Sequence, residues 1–231
     1  MKIAIMQPTF IPWIGYFSMM QYVDKFVILD NVQFDKRSWQ QRNKIRTKEE
    51  SIWLTIPVKS KKQHLQKINE VEILYDKDFI CKIIKTIESN YKKTSFYNDF
   101  SSELFSLMLE RPKFLSDLTI KLIIYIKEYL EIKTEIIIAS DMNVEGKKDT
   151  LLANICQLLK ASRYISPVGS QIYLDNSLDF KSKEIKIEYF DFIHPNYKQT
   201  FFNFMPYMSI IDLIFNFGPK SKEYLSYIKK D

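Results

Sequence analysis

The sequence predicts an α/β fold of the Rossmann-like kind, an open and mostly parallel sheet with a helical insertion near residues 76–131. Residues 3–6 and 26–29 are short apolar runs typical of buried strands, and residues 11–23 between them have helical spacing. A strand, a helix and a second strand within about thirty residues predict a parallel pair. The same alternation returns between residues 135 and 190, which favours one sheet built from both ends of the chain.

The remaining elements follow in chain order. Further strands are predicted at residues 52–58, 71–74, 135–139, 164–165 and 185–190. Helices are predicted at residues 79–87 after a cap at Asp76, and at 100–109, 114–130, 151–159, 208–217 and 220–228. Gly218-Pro219 is expected to stop the helix that precedes it. Without a repeat or a linker, residues 1–231 are expected to form a single α/β domain with a helical subdomain at 76–131.

Composition narrows the class of protein. The net charge of +6 comes from 34 basic and 28 acidic residues, and it fits either a solvated lysine surface or weak attraction of a phosphorylated ligand. The sequence lacks nucleic-acid-binding motifs, so nucleic acid is not expected as the main partner. Cys81 and Cys156 lie in apolar helical patterns and are expected to be buried free thiols. With no signal peptide and no apolar run of membrane-spanning length, we expect a cytoplasmic protein without a membrane span.

Several catalytic signatures are missing from the sequence. It has no glycine-rich dinucleotide loop, no Walker A motif, no nucleophile elbow and no zinc-ligand spacing. These absences disfavour an NAD enzyme, a P-loop kinase and a serine hydrolase. No protein-bound metal is predicted, and the cofactor stays unknown.

The first candidate site follows the first strand. Gln7 and Thr9 lie where that strand ends and a helix begins, which is the edge of a parallel sheet where ligands bind. Tyr16 in the next helix is a further candidate for binding substrate. The alternative is a proline-shaped turn above a packed aromatic helix.

The second candidate site is the segment 30–46, which leaves the second strand at the same edge. It contains three of the five arginines, and Lys36, Arg37 and Arg42 could hold a diphosphate. Asp30 could take a sugar hydroxyl, an amine or a metal ion. The candidates for binding substrate here also include Gln33, Trp39 and Asn43. The alternative is a charged surface loop.

Two later segments could complete the site. Ser166 and Gly169 follow a short strand and could form a cradle for an anion or a sugar. His194 ends another strand and could act as a general base, with Tyr197 and Gln199 nearby; a histidine held by backbone groups is the alternative. The other histidine, His64, is expected in an exposed loop. If this site exists, Gln7, Arg37, Arg42 and His194 should converge on one cleft.

The chain resembles the WbqC-like protein family along most of its length. The resemblance rests on Met6-Gln7-Pro8 to Gly15-Tyr16-Phe17, Asp24-Lys25-Phe26-Val27, Gln33-Phe34, Arg42-Asn43, Asn90-Tyr91-Lys92-Lys93, His194-Pro195, Tyr197, Gln199, Ser209-Ile210-Ile211-Asp212 and Asn216-Phe217-Gly218-Pro219. Ser166-Pro167-Val168-Gly169 departs from the more compact turn expected there, which puts the role of that loop in doubt.

The resemblance implies bacterial O-antigen and surface-polysaccharide biosynthesis, and an enzyme that acylates, in one suggestion glycylates, an amino sugar. The partners would be a nucleotide-linked amino sugar and an acyl or aminoacyl donor. In that hypothesis Lys36, Arg37 and Arg42 grip the diphosphate, His194 accepts the ammonium proton, and Asp30, Gln7 and Gln199 orient sugar or donor. Two alternatives stay open. One is a sugar nucleotidyltransferase with a metal on Asp30 or Asp141, and the other is a non-catalytic sugar-nucleotide-binding protein.

Overall fold

Strands and helices alternate along the chain in the computed structural model, which describes residues 1–61 and 65–226. The strands are β1 (Lys2–Met6), β2 (Lys25–Ile28), β3 (Arg42–Arg46), β4 (Ser51–Thr55), β5 (Glu135–Ile138), β6 (Arg163–Pro167) and β7 (Lys186–Phe190). The α-helices are α1 (Ile14–Tyr22), α2 (Phe79–Tyr91), α3 (Tyr97–Leu109), α4 (Leu115–Tyr129), α5 (Lys148–Leu158), α6 (Gln171–Leu174), α7 (Leu178–Ser182) and α8 (Ile210–Phe217). Short 3-10 turns lie at 68–70, 139–142, 168–170 and 218–225.

Five parallel strands form the main sheet in the order β5-β2-β1-β6-β7. The Rossmann-like α/β prediction is therefore confirmed. The chain builds the sheet outward from β1 through β2 to β5, and then returns to place β6 and β7 on the other side of β1. The strand order thus reverses between β1 and β6, and a crevice opens at the carboxyl ends of strands at such a switch point.

Both faces of the sheet are covered. Ala4, Phe26 and Ile28 point to the larger core, which they share with α1, α8 and the three helices α2 to α4. Ile3, Ile5, Val27 and other side chains of the opposite face pack with α5 and with residues 174–185. Burial on both sides explains why these strands are continuous apolar runs rather than alternating ones.

The segment 30–46, in which no strand was predicted, ends in strand β3. β3 pairs with β4 in an antiparallel hairpin, with Lys44 opposite Trp53. Asn43 and Ile45 alternate into the core while Arg42 and Lys44 point outward, so the strand has the period of two that its charged residues hid. The strand predicted at 71–74 was wrong, because Glu72 and Ile73 make only isolated bridges to Phe114 and Val58.

Several helix boundaries differ from their predicted positions. α1 begins at Ile14 rather than at Ile11, whose φ of 38° is incompatible with a helix. α2 follows Asp78 rather than Asp76, and Asp78 makes no side-chain capping bond. After α8, residues 218–225 form a 3-10 helix, and residues 227–228 of the predicted last helix lie outside the described residues, as does His64.

The two cysteines are free, as predicted, but they differ in burial. Cys156 is buried in α5, and burial raises the pKa of its thiol to about 12. Cys81 was expected to be buried too, yet it is only half-buried on α2. Within residues 1–61 and 65–226, no helix combines the length and the apolar character that crossing a membrane requires.

Candidate ligand site at the sheet switch point

A cavity of about 400 Å³ lies at the carboxyl ends of β1 and β6, where the strand order reverses. Its walls come from the end of β1 (Met6, Gln7, Thr9), from the loop 38–40, and from the segment 164–173. None of its described lining residues carries a charge. Its exposed lining is mainly apolar with a few polar side chains, which suits an uncharged ring of a small molecule, and its size is typical of ligand sites.

Five of the predicted binding residues meet in this cavity. They are Gln7, Thr9, Trp39, Ser166 and Gly169. The expected convergence of Gln7 with Arg37, Arg42 and His194 on one cleft is not found, because none of those three lines it. The remaining candidates lie outside it too: Tyr16, Asp30, Gln33, Lys36, Asn43, Tyr197 and Gln199.

Buried glutamines shape the loop that forms one wall. Gln40 Oε1 accepts a hydrogen bond from the Asp35 N–H at 3.0 Å, and Gln41 Oε1 accepts one from the Arg37 N–H at 3.0 Å. The second bond holds Arg37 at a φ of 64°. The Trp39 carbonyl accepts from the Phe10 N–H at 3.0 Å, which ties the loop to the β1–α1 turn. Trp39 is thereby presented at the rim with 46% of its surface exposed.

Three hydroxyls line the opposite wall. Ser170 Oγ donates to the Pro167 carbonyl at 2.7 Å, so Ser166 Oγ, 2.6 Å away, must donate to Ser170. The Tyr164 hydroxyl lies 3.4 Å from Ser166 Oγ and still has its own proton to give. Burial raises the pKa of Tyr164, so this hydroxyl stays protonated at neutral pH. The wall therefore presents neutral hydroxyl groups that already bond to one another.

The basic residues of the second candidate segment point elsewhere. The Arg42 guanidinium stacks over the Trp53 ring, 4.1 Å from its centroid. Arg37 is exposed. Lys36 lines a separate cavity of about 480 Å³ that also contains Lys59 and Lys61, where Lys59 pairs with Glu72. These basic residues are therefore close in sequence to the loop 38–40 of the switch-point cavity, but they do not line the cavity.

Asp30 anchors a turn. Its carboxylate accepts from the Ser140 N–H at 2.9 Å and from the Ser140 hydroxyl at 2.7 Å, and it is almost fully buried. Gln33 is exposed and forms an isolated backbone bridge with Lys67. Within the described residues, no group of three or more histidine, cysteine, aspartate or glutamate side chains is arranged to hold a metal ion.

His194 has backbone partners at both ring nitrogens. Nδ1 lies 2.9 Å from the Pro195 carbonyl, which accepts its proton, and Nε2 accepts from the Tyr207 N–H at 3.1 Å. These partners define the neutral tautomer protonated at Nδ1. Partial burial lowers the pKa of His194, and the bond to Pro195 opposes that shift. In this geometry the lone pair that a general base would use is already engaged.

Acidification should therefore destabilise the fold through His194. Its pKa is lower in the folded chain than in the unfolded one, so stability is full above the unfolded value of about 6.5 and is lost as pH falls through that value. A protonated Nε2 would also face the Tyr207 N–H, donor against donor. We expect the Tm of the wild type to fall between pH 7.5 and 5.5, and His194→Gln to remove this part of the fall. A His64→Gln control should keep it; equal pH profiles for wild type and His194→Gln would contradict the assignment.

Two further candidates are core residues. Tyr16 is buried against Phe17 and Phe26, and burial raises the pKa of its hydroxyl. Asn43 is buried and donates to the carbonyls of Phe10 and Ile11 at 3.1 and 2.8 Å. Both side chains stabilise the β1–α1 connection and do not reach the cavity.

Tyr197 and Gln199 belong to a buried polar network around Asp212. The Asp212 carboxylate accepts from Tyr91 Oη at 2.8 Å, from Tyr197 Oη at 2.8 Å and from Gln199 Nε2 at 2.9 Å. Burial raises the pKa of Asp212, while its three donors and the charge of Arg46 lower it. Arg46 is itself buried and donates to the Phe202 carbonyl at 2.7 Å. The network fixes the segment 197–207 against β3 and α8.

Sequence reasoning missed three participants. Gln40, which reaches into the cavity, looked like one polar residue among many, and its burial is visible only in three dimensions. Tyr91 and Asp212 were noted only as family positions. A signal for Asp212 did exist, because a carboxylate within the apolar run 208–217 must find partners.

Fold and cavity together define a Rossmann-like α/β protein with a candidate small-molecule site at its switch point. The model of the WbqC-like protein family matches residues 7–224, and the chain belongs to this family. It is 34% identical over 231 residues to "Uncharacterized protein Rv1507c" of Mycobacterium tuberculosis (strain ATCC 25618 / H37Rv), covering 99% of each chain. No solved structure matches the chain significantly.

Proposed function

We propose that this protein is a transferase that acylates the amino group of a nucleotide-linked amino sugar in surface-polysaccharide biosynthesis, with glycine as the first acyl group to test. The observation that carries the proposal is the uncharged cavity at the switch point, whose loop 38–40 directly follows the exposed Lys36 and Arg37. We place the reaction in the cytoplasm, in keeping with two free thiols. The acyl or aminoacyl donor would be the second substrate.

The loop 35–41 supports the fit of a nucleotide-linked sugar. Ser38 and Trp39 line the cavity, whereas Lys36 and Arg37 directly before them are exposed. A ligand with an uncharged ring in the cavity can therefore place its phosphates outside, beside two cations of the same loop. Arg42 stacks on Trp53, so it would hold the tryptophan rings in place rather than bind the diphosphate.

The reaction needs an amine lone pair to attack the donor carbonyl. A C–N bond forms, the bond to the leaving group breaks, and the ammonium proton passes to a base. His194 can accept that proton only after its bond to the Tyr207 N–H opens. The contribution that the cavity itself offers is binding and orientation of the nucleotide-linked sugar, with the hydroxyls of Tyr164 and the serine row as polar contacts.

One observation favours a second candidate, a sugar-nucleotide-binding protein without catalysis. No ionised side chain stands among the described lining residues, so the cavity offers binding groups without an evident base. Such a protein would bind the same ligand and release it unchanged.

Mass spectrometry separates these candidates. The purified protein is incubated with a panel of amino-sugar nucleotides and with glycine plus ATP, acyl-CoA or glycyl-tRNA as donors. We expect one amino-sugar nucleotide to gain the mass of the acyl group. The matched control is the same nucleotide sugar with its amino group already acetylated, which should gain nothing. Tight binding without a mass gain from any donor would overturn the transferase in favour of the binding protein.

A further inference from the structure

We propose that the switch-point cavity holds the nucleobase of the ligand, that Trp39 is its stacking face, and that Gln7 donates a hydrogen bond to a carbonyl of the base. Gln40 is the positioning residue that turns Gln7 into a donor. This inference rests on the proposed function, since it names the part of the nucleotide-linked sugar that the cavity recognises. None of the comparisons assigns such a contact.

The amide of Gln40 has only one orientation that satisfies its surroundings. Its Oε1 must face the Asp35 N–H, from which it accepts at 3.0 Å, so its Nε2 must face Gln7. Gln40 Nε2 donates to Gln7 Oε1 at 2.8 Å. This bond turns the other end of the Gln7 amide, its NH2 group, away from Gln40. Within the described residues that NH2 group has no acceptor, and Gln7 lines the cavity. Gln7 is exposed, so this NH2 group meets solvent, and a ligand carbonyl would replace that water as its acceptor.

Trp39 offers a ring at the same rim. Its centroid lies 5.0 Å from that of Trp53 at an interplanar angle of 47°. Trp53 is held in turn by Arg42, at 4.1 Å, and by Lys44 at 5.0 Å, its partner across the β3–β4 hairpin. The exposed indole is thus fixed before a ligand arrives, which lowers the entropic cost of stacking a planar ring on it.

A nucleobase satisfies both groups at once. It has a flat π face for Trp39 and, in uracil or guanine, a carbonyl for Gln7 at C4 or C6, where cytosine or adenine has an amino group. The remainder of the nucleotide also finds suitable partners. Lys36 is exposed and lies three residues from Trp39, so their Cα atoms are at most about 11 Å apart, and its side chain can turn from the neighbouring cavity towards phosphates that leave this one. A sugar ring without a nucleotide has no planar π face to stack on Trp39 and no diphosphate for the basic residues of the loop.

Binding of nucleoside monophosphates tests this directly. Calorimetric titrations use UMP, CMP, GMP, AMP and, without a base, N-acetylglucosamine 1-phosphate. We expect the nucleotide with a carbonyl at C4 or C6 of its base to bind about tenfold more tightly than the one with an amino group at that position, UMP over CMP or GMP over AMP. The sugar phosphate should bind at least tenfold more weakly than the best nucleotide. Equal affinities for all four nucleotides would overturn the contact with Gln7.

Substitutions then separate the roles. Trp39→Ala should weaken the best nucleotide by about tenfold to a hundredfold, and Trp39→Phe should restore most of the affinity. Gln40→Glu can still accept from Asp35 but cannot donate to Gln7, so Gln7 should turn its NH2 group to Glu and present its oxygen to the ligand. The preference should then shift towards the amino-bearing base, CMP or AMP. Gln157→Glu on the exposed face of α5 is the control for added charge and should leave the preference unchanged.

The outcomes distinguish this inference from the proposed function. If Gln40→Glu folds, as judged by its Tm, and weakens all nucleotides equally, Gln40 is merely structural and the positioning role is wrong. If nucleotides bind with the expected preference but no acyl group is transferred, the nucleobase inference is supported and the proposed transferase function is wrong. If amino sugars without a nucleotide are acylated and nucleoside monophosphates do not bind, the nucleobase inference is wrong and the transferase function is supported.

Discussion

Replacing Asp212 with alanine is expected to lower the free energy of unfolding by about 3–5 kcal/mol, because it leaves a buried charge and three buried donors without their acceptor. Asp212 has no exposed surface, and Tyr91, Tyr197 and Gln199 all donate to its carboxylate. Arg46 lies almost fully buried in the same network, and its charge would lose its counterpart. The segment 197–207 should loosen first, since Tyr197 and Gln199 anchor it.

Urea unfolding at pH 7.5 measures this effect. Tyr91→Phe and Tyr197→Phe are the matched variants, because each removes one donor and keeps the carboxylate with its other partners. Each should cost about 1–3 kcal/mol, less than Asp212→Ala. A loss below 1 kcal/mol for Asp212→Ala would show that the network contributes little to stability.

Replacing Gly218 with alanine should be the next most destabilising change, by about 2–5 kcal/mol. Gly218 ends α8 with a φ of 56° and a ψ of −135°, a conformation that side chains with a Cβ rarely adopt. A Cβ there would also lie 2.3 Å from Cδ1 of the Phe96 ring, which packs directly on the backbone. The backbone strain costs about 1–2 kcal/mol and the overpacking about 1–3 kcal/mol.

The control for Gly218→Ala lies at the rim of the cavity. A Cβ added to Gly169 would meet no atom within 4 Å, and its φ is not in the left-handed region. Gly169→Ala should therefore leave the Tm unchanged, while Gly218→Ala lowers it clearly in the same thermal scan. Similar Tm values for the two variants would contradict the account given for Gly218.

The sequence predicts the fold correctly where the pattern of apolar residues along a segment determines its secondary structure. The runs 3–6 and 26–29 are apolar on both faces because both faces are buried, and their parallel pairing followed from the helix between them. β3 was missed because Arg42, Lys44 and Arg46 mask its alternation. The predicted strand at 71–74 failed because β-branched composition alone does not supply a pairing partner.

The candidate site could be predicted only in its position along the chain. The ends of the first strand and of the strand at 163–167 do meet, and Gln7 and Ser166 share one cavity. The backbone-held His194 was one of the two alternatives that the sequence offered. The roles of Asp30 and Asn43 could not be predicted, because each depends on a partner distant in sequence, such as Ser140 for Asp30. A polar residue after a strand can bind a ligand or can form a hydrogen bond with another loop. The sequence pattern is the same in both cases.

The switch-point cavity also couples ligand binding to folding of the whole chain. Its walls combine the end of β1, the loop 38–40 and residues 164–173, so a fragment lacking either terminal part cannot form it. A ligand that fills the cavity binds only the folded chain, and at a hundred times its Kd it would add about 2.7 kcal/mol to stability. Thermal stabilisation by a library of nucleotides and sugars can therefore rank ligands before the reaction is known.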